Sequence, residues 1–503
     1  MDTLQSLIKL LSKQKLKQIE IITEDVKLSP KTKMLYEGIR DNLFENDNDA
    51  AEKIYGPNPS KSGYKKLKYR LTQRLINTLF FIDVQAYSKS EYQKALNRSL
   101  KNWAGAKILQ DKGLAKLSTE LYEQILKSSL KYDIVELSLL ILKDLKYYFG
   151  ILAYNKYKYE KYVNQYIEVK HLYNLKEKAE DLFVRLGQLV TNSKSYIYDE
   201  KVKALEFETE VLLKEVNNVD SFYIRHYTYN AAYFAYLIKG DIDAQIDICK
   251  KAISYFLEKP SFKKIGIFAF RQKAGISYLA KKDYQKSYEY LTECMNFNLQ
   301  EGTLSWMYVR NYYFQLHILR KDYQSAYKLI SETINSKSFN KINEKYREPW
   351  HLKEAFIHFL IKTGKIDPDK SNVKKLRPFR LGRFMNEVPV FTKDKRGLNI
   401  TINIIQMIFL IVEDRFDEVL DKLSSLRQYN FRYLKRPEYA RSSNFIKMLI
   451  KIPEGNYNPK EIRAKASKYH KALLENPSDY SEHALSIEII PYEQLWEEIM
   501  SIF

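Results

Sequence analysis

Apolar residues return every three or four positions along most of this chain, the spacing of one face of an α-helix. The strongest single stretch is "YKKLKYRLTQRLINTLFFID" (64–83), where Leu67, Leu71, Leu75 and Leu79 recur at i+4 opposite Lys66, Lys68, Arg70 and Arg74. It reads as a core helix with a snorkelling basic face or as a basic helix lying on phosphates. No glycine turn of the helix-turn-helix kind precedes it, which favours the core helix. Residues 1–45 read as two helices parted near "LSP" (28–30), and Gly56, Pro57 and Pro59 mark a joint after them. Lys9 interrupts the apolar run of the first helix and no small-residue cleavage site follows, so that helix is not read as a signal peptide. The closing stretch, "PYEQLWEEIMSIF" (491–503), predicts an acidic amphipathic helix whose Trp496 caps the array.

In the middle of the chain one phrase recurs. It reads "YLIKGDIDAQIDICKKAI" (236–253), "YLAKKDYQKSYEYLTECM" (278–295) and "HILRKDYQSAYKLISETI" (317–334). Asp241, Asp283 and Asp322 mark its turns, 42 and 39 residues apart, and weaker echoes put further turns near 156, 200, 365 and 414. A fixed period of this length is the signature of stacked helix pairs, because one pair cannot bury its own apolar face. In the 268–295 unit, Gly275 and Ser287 are the small residues that let two helices approach closely, while Tyr278 and Leu291 fill the space between units. The expected fold is all-α, an α-α superhelix of antiparallel helix pairs.

The spacing of Gly275, Tyr278, Ser287, Leu291 and Cys294 resembles the tetratricopeptide repeat. Tyr236 and Ala252, and His317, Ala326 and Ile330, keep parts of the same pattern. The period is longer than that family's and its consensus Trp and terminal Pro are absent. The resemblance implies a groove lined by the first helices of each pair. Counting back from the turns nominates Tyr229, Asn230, Arg271, Gln272, Arg310 and Asn311 as its partner-binding residues, since family members often grip peptide backbones and carboxylates with Asn, Lys and Arg there. Amides offer donor and acceptor to an extended peptide, and Arg forks a carboxylate; the competing reading is ordinary exposed polar positions.

Composition adds limits. The 503 residues hold only 15 Gly and 13 Pro, too few for a fold that needs turns every 8–12 positions. Cys249 and Cys294 form no CxxC pair and read as buried packing residues of a reducing cytoplasm. "GLNITINIIQMIFLIV" (397–412) falls short of a membrane span of ~20 apolar residues. No phosphate loop, GxGxxG, HExxH or GxSxG is present, and His351, Glu354 and His358 lack the second histidine one turn away that a zinc site wants. The sequence therefore argues against an enzyme, with no cofactor and no metal.

The net charge of +21 suits nucleic acid or acidic proteins, and equally a lysine-rich surface from an AT-rich bacterial genome. One stretch breaks the helical pattern: "RPFRLGRFMNEVPVFTKDKRGLN" (377–399). Around it Lys374, Lys375, Arg377, Arg380, Arg383, Lys393, Lys395 and Arg396 face two acids, interleaved with Phe379, Phe384 and Phe391. It reads as a basic binding loop, or as a connector whose aromatics staple it and whose charges meet Glu413 or Asp414. The expected organisation is an N-terminal helical region (1–110), repeats (111–370), the basic insertion (371–398) and C-terminal repeats with a cap (399–503). The leading expectation is a scaffold binding a protein or peptide partner. A nucleic-acid-binding solenoid and a peptide-sensing regulator are the alternatives.

Overall fold

The computed structural model describes residues 29–79, 91–192, 199–258, 263–297, 299–387, 398–476 and 487–503. These residues form helices and turns, with no strand among them. The chain divides into two compact units, Met1–Asn174 and Leu175–Phe503.

The first unit holds α1 (Pro30–Arg40), α2 (Asp47–Tyr55), α3 (Lys61–Leu79), α4 (Glu91–Asp111), α5 (Ala115–Lys131), α6 (Val135–Tyr147), one wide π-helical turn (Tyr148–Leu152) and the start of α7 (Lys156–Asn192). The leucine stripe of α3 is buried for only half its length. Leu67 and Leu71 pack with Leu35, Ala50, Ala51 and Ile54, whereas Leu75 and Leu79 are exposed. The physical reason is length: α1 and α2 have 11 and 9 residues against 19 in α3, so they cover its first turns only. Lys68 is tied to Asp47 at 2.7 Å, and Lys66 and Arg70 point to solvent.

The second unit holds the rest of α7, then α8 (Glu200–Glu215), α9 (Phe222–Lys239), α10 (Ile242–Leu257), α11 (Lys263–Ala280), α12 (Tyr284–Met295), α13 (Leu304–Leu319), α14 (Tyr323–Ile334) and α15 (Glu344–Lys362). After these come α16 (Leu381–Glu387), α17 (Leu398–Val412), α18 (Phe416–Tyr433), α19 (Ala440–Glu454), α20 (Pro459–Leu474) and α21 (Tyr492–Met500). Successive helices pack on one another, α9 on α10, α11 on α12 and α13 on α14.

The recurring aspartates explain why. Each ends one helix and starts the next. Asp241, Asp283 and Asp322 donate their backbone N–H to Tyr236, Tyr278 and His317 at 2.9, 3.0 and 2.9 Å, closing the outgoing helix. Their carboxylates accept from the N–H of Ala244, Lys286 and Ser325 at 3.0, 3.1 and 3.2 Å, opening the incoming one. The preceding residues, Gly240, Lys282 and Lys321, take the left-handed conformation at φ 77°, 65° and 58° that this helix end requires. The same closing bond joins Leu114 to Leu109, Ile134 to Ser129, Lys365 to Leu360 and Arg415 to Leu410. A turn this short leaves the next helix antiparallel to the last. The fold class is all-α, helix pairs following one another in the α-α superhelical manner within each unit.

The close approach at Gly275 is real. The Ser287 hydroxyl donates to the Gly275 carbonyl at 2.8 Å, and a Cβ on Gly275 would lie 2.8 Å from Leu291 Cγ. The identical twelve-residue contact occurs in the first unit, where the Ser118 hydroxyl donates to the Ala106 carbonyl at 2.8 Å. Gly275→Val should therefore cost about 1–3 kcal/mol through overpacking. Urea unfolding measures this, and an unchanged midpoint would show the seam to be loose.

Elsewhere the fold departs from a simple array. α17 is mostly apolar and buried from Ile400 to Ile411, with only Asn403 and Gln406 half-buried in that span, as a helix with so little polar face must be. No described helix is long and apolar enough to cross a membrane. The C-terminal helix is not an end cap. Tyr492, Leu495, Trp496 and Ile499 lie in the same core as Phe314, Ala326 and Phe445. Gln494 donates to the Ile318 carbonyl and to the Tyr323 hydroxyl, each at 2.8 Å, while Tyr323 donates to Glu498 at 2.7 Å. Arg463 of α20 pairs with Glu497 at 2.7 Å. α21 is a wedge between α13–α14 and α19–α20: its polar residues have partners inside the unit, and Glu497 alone of its residues is exposed.

Candidate ligand groove

Four of the six residues nominated for a concave groove are engaged by other groups of the fold. Arg271 and Arg310 bridge the two helices of their own pair, Arg271 to Glu293 at 2.6 Å and Arg310 to Glu332 at 3.1 Å. Arg310 also donates to the Thr333 hydroxyl at 2.7 Å. Burial lowers the Arg310 pKa against the opposing pull of Glu332. At the equivalent position Tyr229 is buried and its hydroxyl accepts from Arg225 at 2.9 Å, and Asn230 is buried with its amide donating to the His226 carbonyl at 2.7 Å. Gln272 and Asn311 are half-buried. The reason follows from helix geometry. Arg271 lies four residues before Gly275, so the two share a face, and that face is pressed against α12. The register that makes Gly275 a close-approach residue makes Arg271 and Arg310 intra-pair struts.

The basic insertion is only partly described: Lys393, Lys395, Arg396, Pro389 and Phe391 lie outside the described residues. Its first part is both a staple and a basic surface. Phe379 stacks on Phe409 at 4.1 Å, and Leu381 and Phe384 are buried in the core. Lys374, Lys375, Arg377, Arg380 and Arg383 point to solvent, Lys375 being paired with Asp369. Glu413 does not serve them; it pairs with Lys362 at 3.1 Å and Arg415 at 3.4 Å. His358 packs beside Phe379 at 5.5 Å while His351 meets Glu354 at 3.3 Å, so the two histidines face different neighbours. Burial pushes the Cys249 and Cys294 thiols up to about 12, which makes them packing residues.

A groove of about 470 Å³ opens elsewhere, between the end of α18 and the start of α19. Arg427, Lys435, Arg436 and Lys447 line it together with Phe431, and no carboxylate is among its lining residues. Its floor is hydrogen-bonded across the two helices: Asn430 donates to the Ser443 carbonyl at 3.0 Å and accepts from the Ser443 hydroxyl at 2.7 Å. Leu434 is buried beneath, whereas Phe431 is 68% exposed with the Lys435 ammonium 3.7 Å from its ring centroid. Arg427 is steadied by Glu454 at 2.7 Å. The chain carries a signal for this site, although it matches no catalytic motif. "RQYNFRYLKR" (427–436) interleaves four cations with three aromatics and contains no acid. Comparison with protein-family models, curated proteins and solved structures finds no match to this chain.

Proposed function

We propose that the chain is a non-catalytic interaction protein, built from long-period tetratricopeptide-like repeats, that holds an acidic polypeptide segment of its partner in the α18–α19 groove. The observation that carries this reading is the groove itself. Four cations converge on about 470 Å³ with no lining carboxylate, beside an aromatic ring left in solvent. Cations forking carboxylates and an aromatic wall covering aliphatic side chains are what an extended acidic peptide needs. The repeated turn chemistry and the Gly275–Ser287 and Ala106–Ser118 seams support the tetratricopeptide-like assignment.

A nucleic-acid reading shares the charge of +21 and the aromatic–cation mixture. The two separate in one experiment. A fluorescent glutamate-rich peptide and a single-stranded oligonucleotide are titrated at low and moderate salt. The peptide should bind, and Arg427→Glu, Lys435→Glu and Arg436→Glu together should weaken it by at least about tenfold with helix content unchanged. Tight oligonucleotide binding with a steep salt slope, and none of peptide, would replace this reading with the other.

A further inference from the structure

The turn between α6 and α7 in the first unit presents a surface that the peptide reading does not use. The chain leaves α6 through one wide turn in which Ala153 donates to the Tyr148 carbonyl at 2.9 Å, and Asn155 then donates to the Phe149 carbonyl at 2.9 Å. Such single π-turns recur at functional places, since they cost hydrogen-bond geometry. Here the extra residue pushes Ile151 and Leu152 into water, 68% and 54% exposed. Tyr154 and Tyr157 beside them are 73% and 79% exposed, and Tyr147 is exposed as well.

This exposure is held in place. Phe149 is buried and stacks on Tyr162 at 5.7 Å, the Tyr159 ring covers Gly150, and the Asn155 side chain accepts from the Lys158 N–H at 3.0 Å, starting α7. Lysines flank the turn in the chain. Lys143, Lys156 and Lys161 are exposed, and Lys158 lies over the Phe149 ring at 4.6 Å. The nearby acids are partly neutralised, Asp144 by Lys107 at 2.8 Å, Glu160 by Lys156 at 4.0 Å and Glu123 by Lys158 at 3.0 Å.

The composition of this turn selects the partner. Two exposed aliphatic side chains lie at the turn with exposed tyrosines and lysines on either side of them in the chain, the three kinds of group that the acyl boundary, headgroup level and anionic surface of a lipid interface take. Aliphatics do not stack on bases, so single-stranded nucleic acid leaves these two unused. A rigid protein partner needs a matched concavity, whereas exposed side chains at a turn between helices enter a soft interface without one. We propose that the 147–161 tip inserts into the surface of a bilayer containing anionic phospholipids.

Sedimentation of the full chain with vesicles of phosphatidylcholine and phosphatidylserine in a two-to-one ratio tests this. The chain should pellet with them, and far less with phosphatidylcholine alone or at high salt. Ile151→Glu with Leu152→Glu should lower the bound fraction at least about tenfold, and so should Tyr154→Ser with Tyr157→Ser, which removes exposed rings that pack on nothing in the core. An Ile151→Trp variant reports insertion directly, its emission shifting to the blue on binding. Vesicle binding that survives both double variants overturns the proposal. So does a tryptophan whose emission stays unshifted while polyglutamate binds the tip, which would assign it to an acidic protein.

Discussion

Replacing Arg441 by Met will lower the unfolding free energy by about 3–5 kcal/mol, because it strands a buried carboxylate. Arg441 Nε donates to Glu488 at 2.9 Å, and Nη2 donates to Glu488 at 2.5 Å and to Glu493 at 2.6 Å. The remaining nitrogen donates to the Leu473 carbonyl at 3.0 Å and to that of Asn476. One guanidinium therefore ties α19 to the end of α20 and to the approach of α21. Burial opposes the Arg441 charge, yet the two carboxylates outweigh it and raise its pKa. Glu488 is 7% exposed and has one other donor in these contacts, the Tyr492 N–H at 2.9 Å. Urea unfolding of the second unit's helices measures the loss. The double variant Arg441→Met with Glu488→Leu should recover part of it, since a paired apolar replacement leaves no charge behind. If the single variant loses under about 1 kcal/mol, the network is a surface ornament and this account of the C-terminus is wrong.

Acidification should weaken the protein through His226 by roughly 3 kcal/mol between about pH 6.5 and about pH 4. The imidazole is boxed by Phe222 at 5.6 Å, Phe270 at 6.0 Å and Phe256 at 6.2 Å. Burial first, and the Lys273 charge on α11 second, push its pKa from 6.5 down to about 4. The Lys273 amine is itself pushed down by burial, its ammonium lying 5.5 Å from the Tyr233 ring and 5.8 Å from Phe234 and Phe270. The sign follows from proton counting. Below pH 6.5 the unfolded chain takes up the histidine proton while the folded chain does not, until about pH 4 is reached. The stabilisation is thus complete above the unfolded pKa and is lost as pH falls toward the folded one. Burial lowers His317 and His358 in the same direction. Measured as stability against pH, His226→Phe should flatten this part of the curve relative to the parent. Two parallel curves would refute the assignment to His226.

Much of this architecture is visible before any coordinates. Asp241, Asp283 and Asp322 are read as turn markers from spacing alone, and they are turn markers because one carboxylate caps the helix that follows. Gly275 and Ser287 are read as a close approach, and one hydroxyl-to-carbonyl bond makes it so. Site residues are harder to read. Counting from the turn points Arg271 to a groove, whereas its spacing from Gly275 puts it against α12, where it meets Glu293. The groove at 427–447 is hard to read from the chain because its first half, "RQYNFRYLKR", looks like a helix surface. Its meaning as a site depends on α19 arriving beside it with Lys447 and no acid in the lining.

The chain by itself determines the helices, their turns and the pairing of neighbours, because periodicity, capping and steric allowance act over a few residues or one hairpin. What tertiary structure alone decides is contact between distant segments. Gln494 meets Ile318 and Tyr323, Gln315 meets the Ile489 carbonyl at 3.1 Å, and Arg441 meets Glu488. No local period encodes such pairings, for they arise only when the apolar faces of remote helices are buried together. That burial turned an acidic tail into the wedge of the second unit, left half of the α3 leucine stripe in water, and brought four lysines and arginines to a single groove.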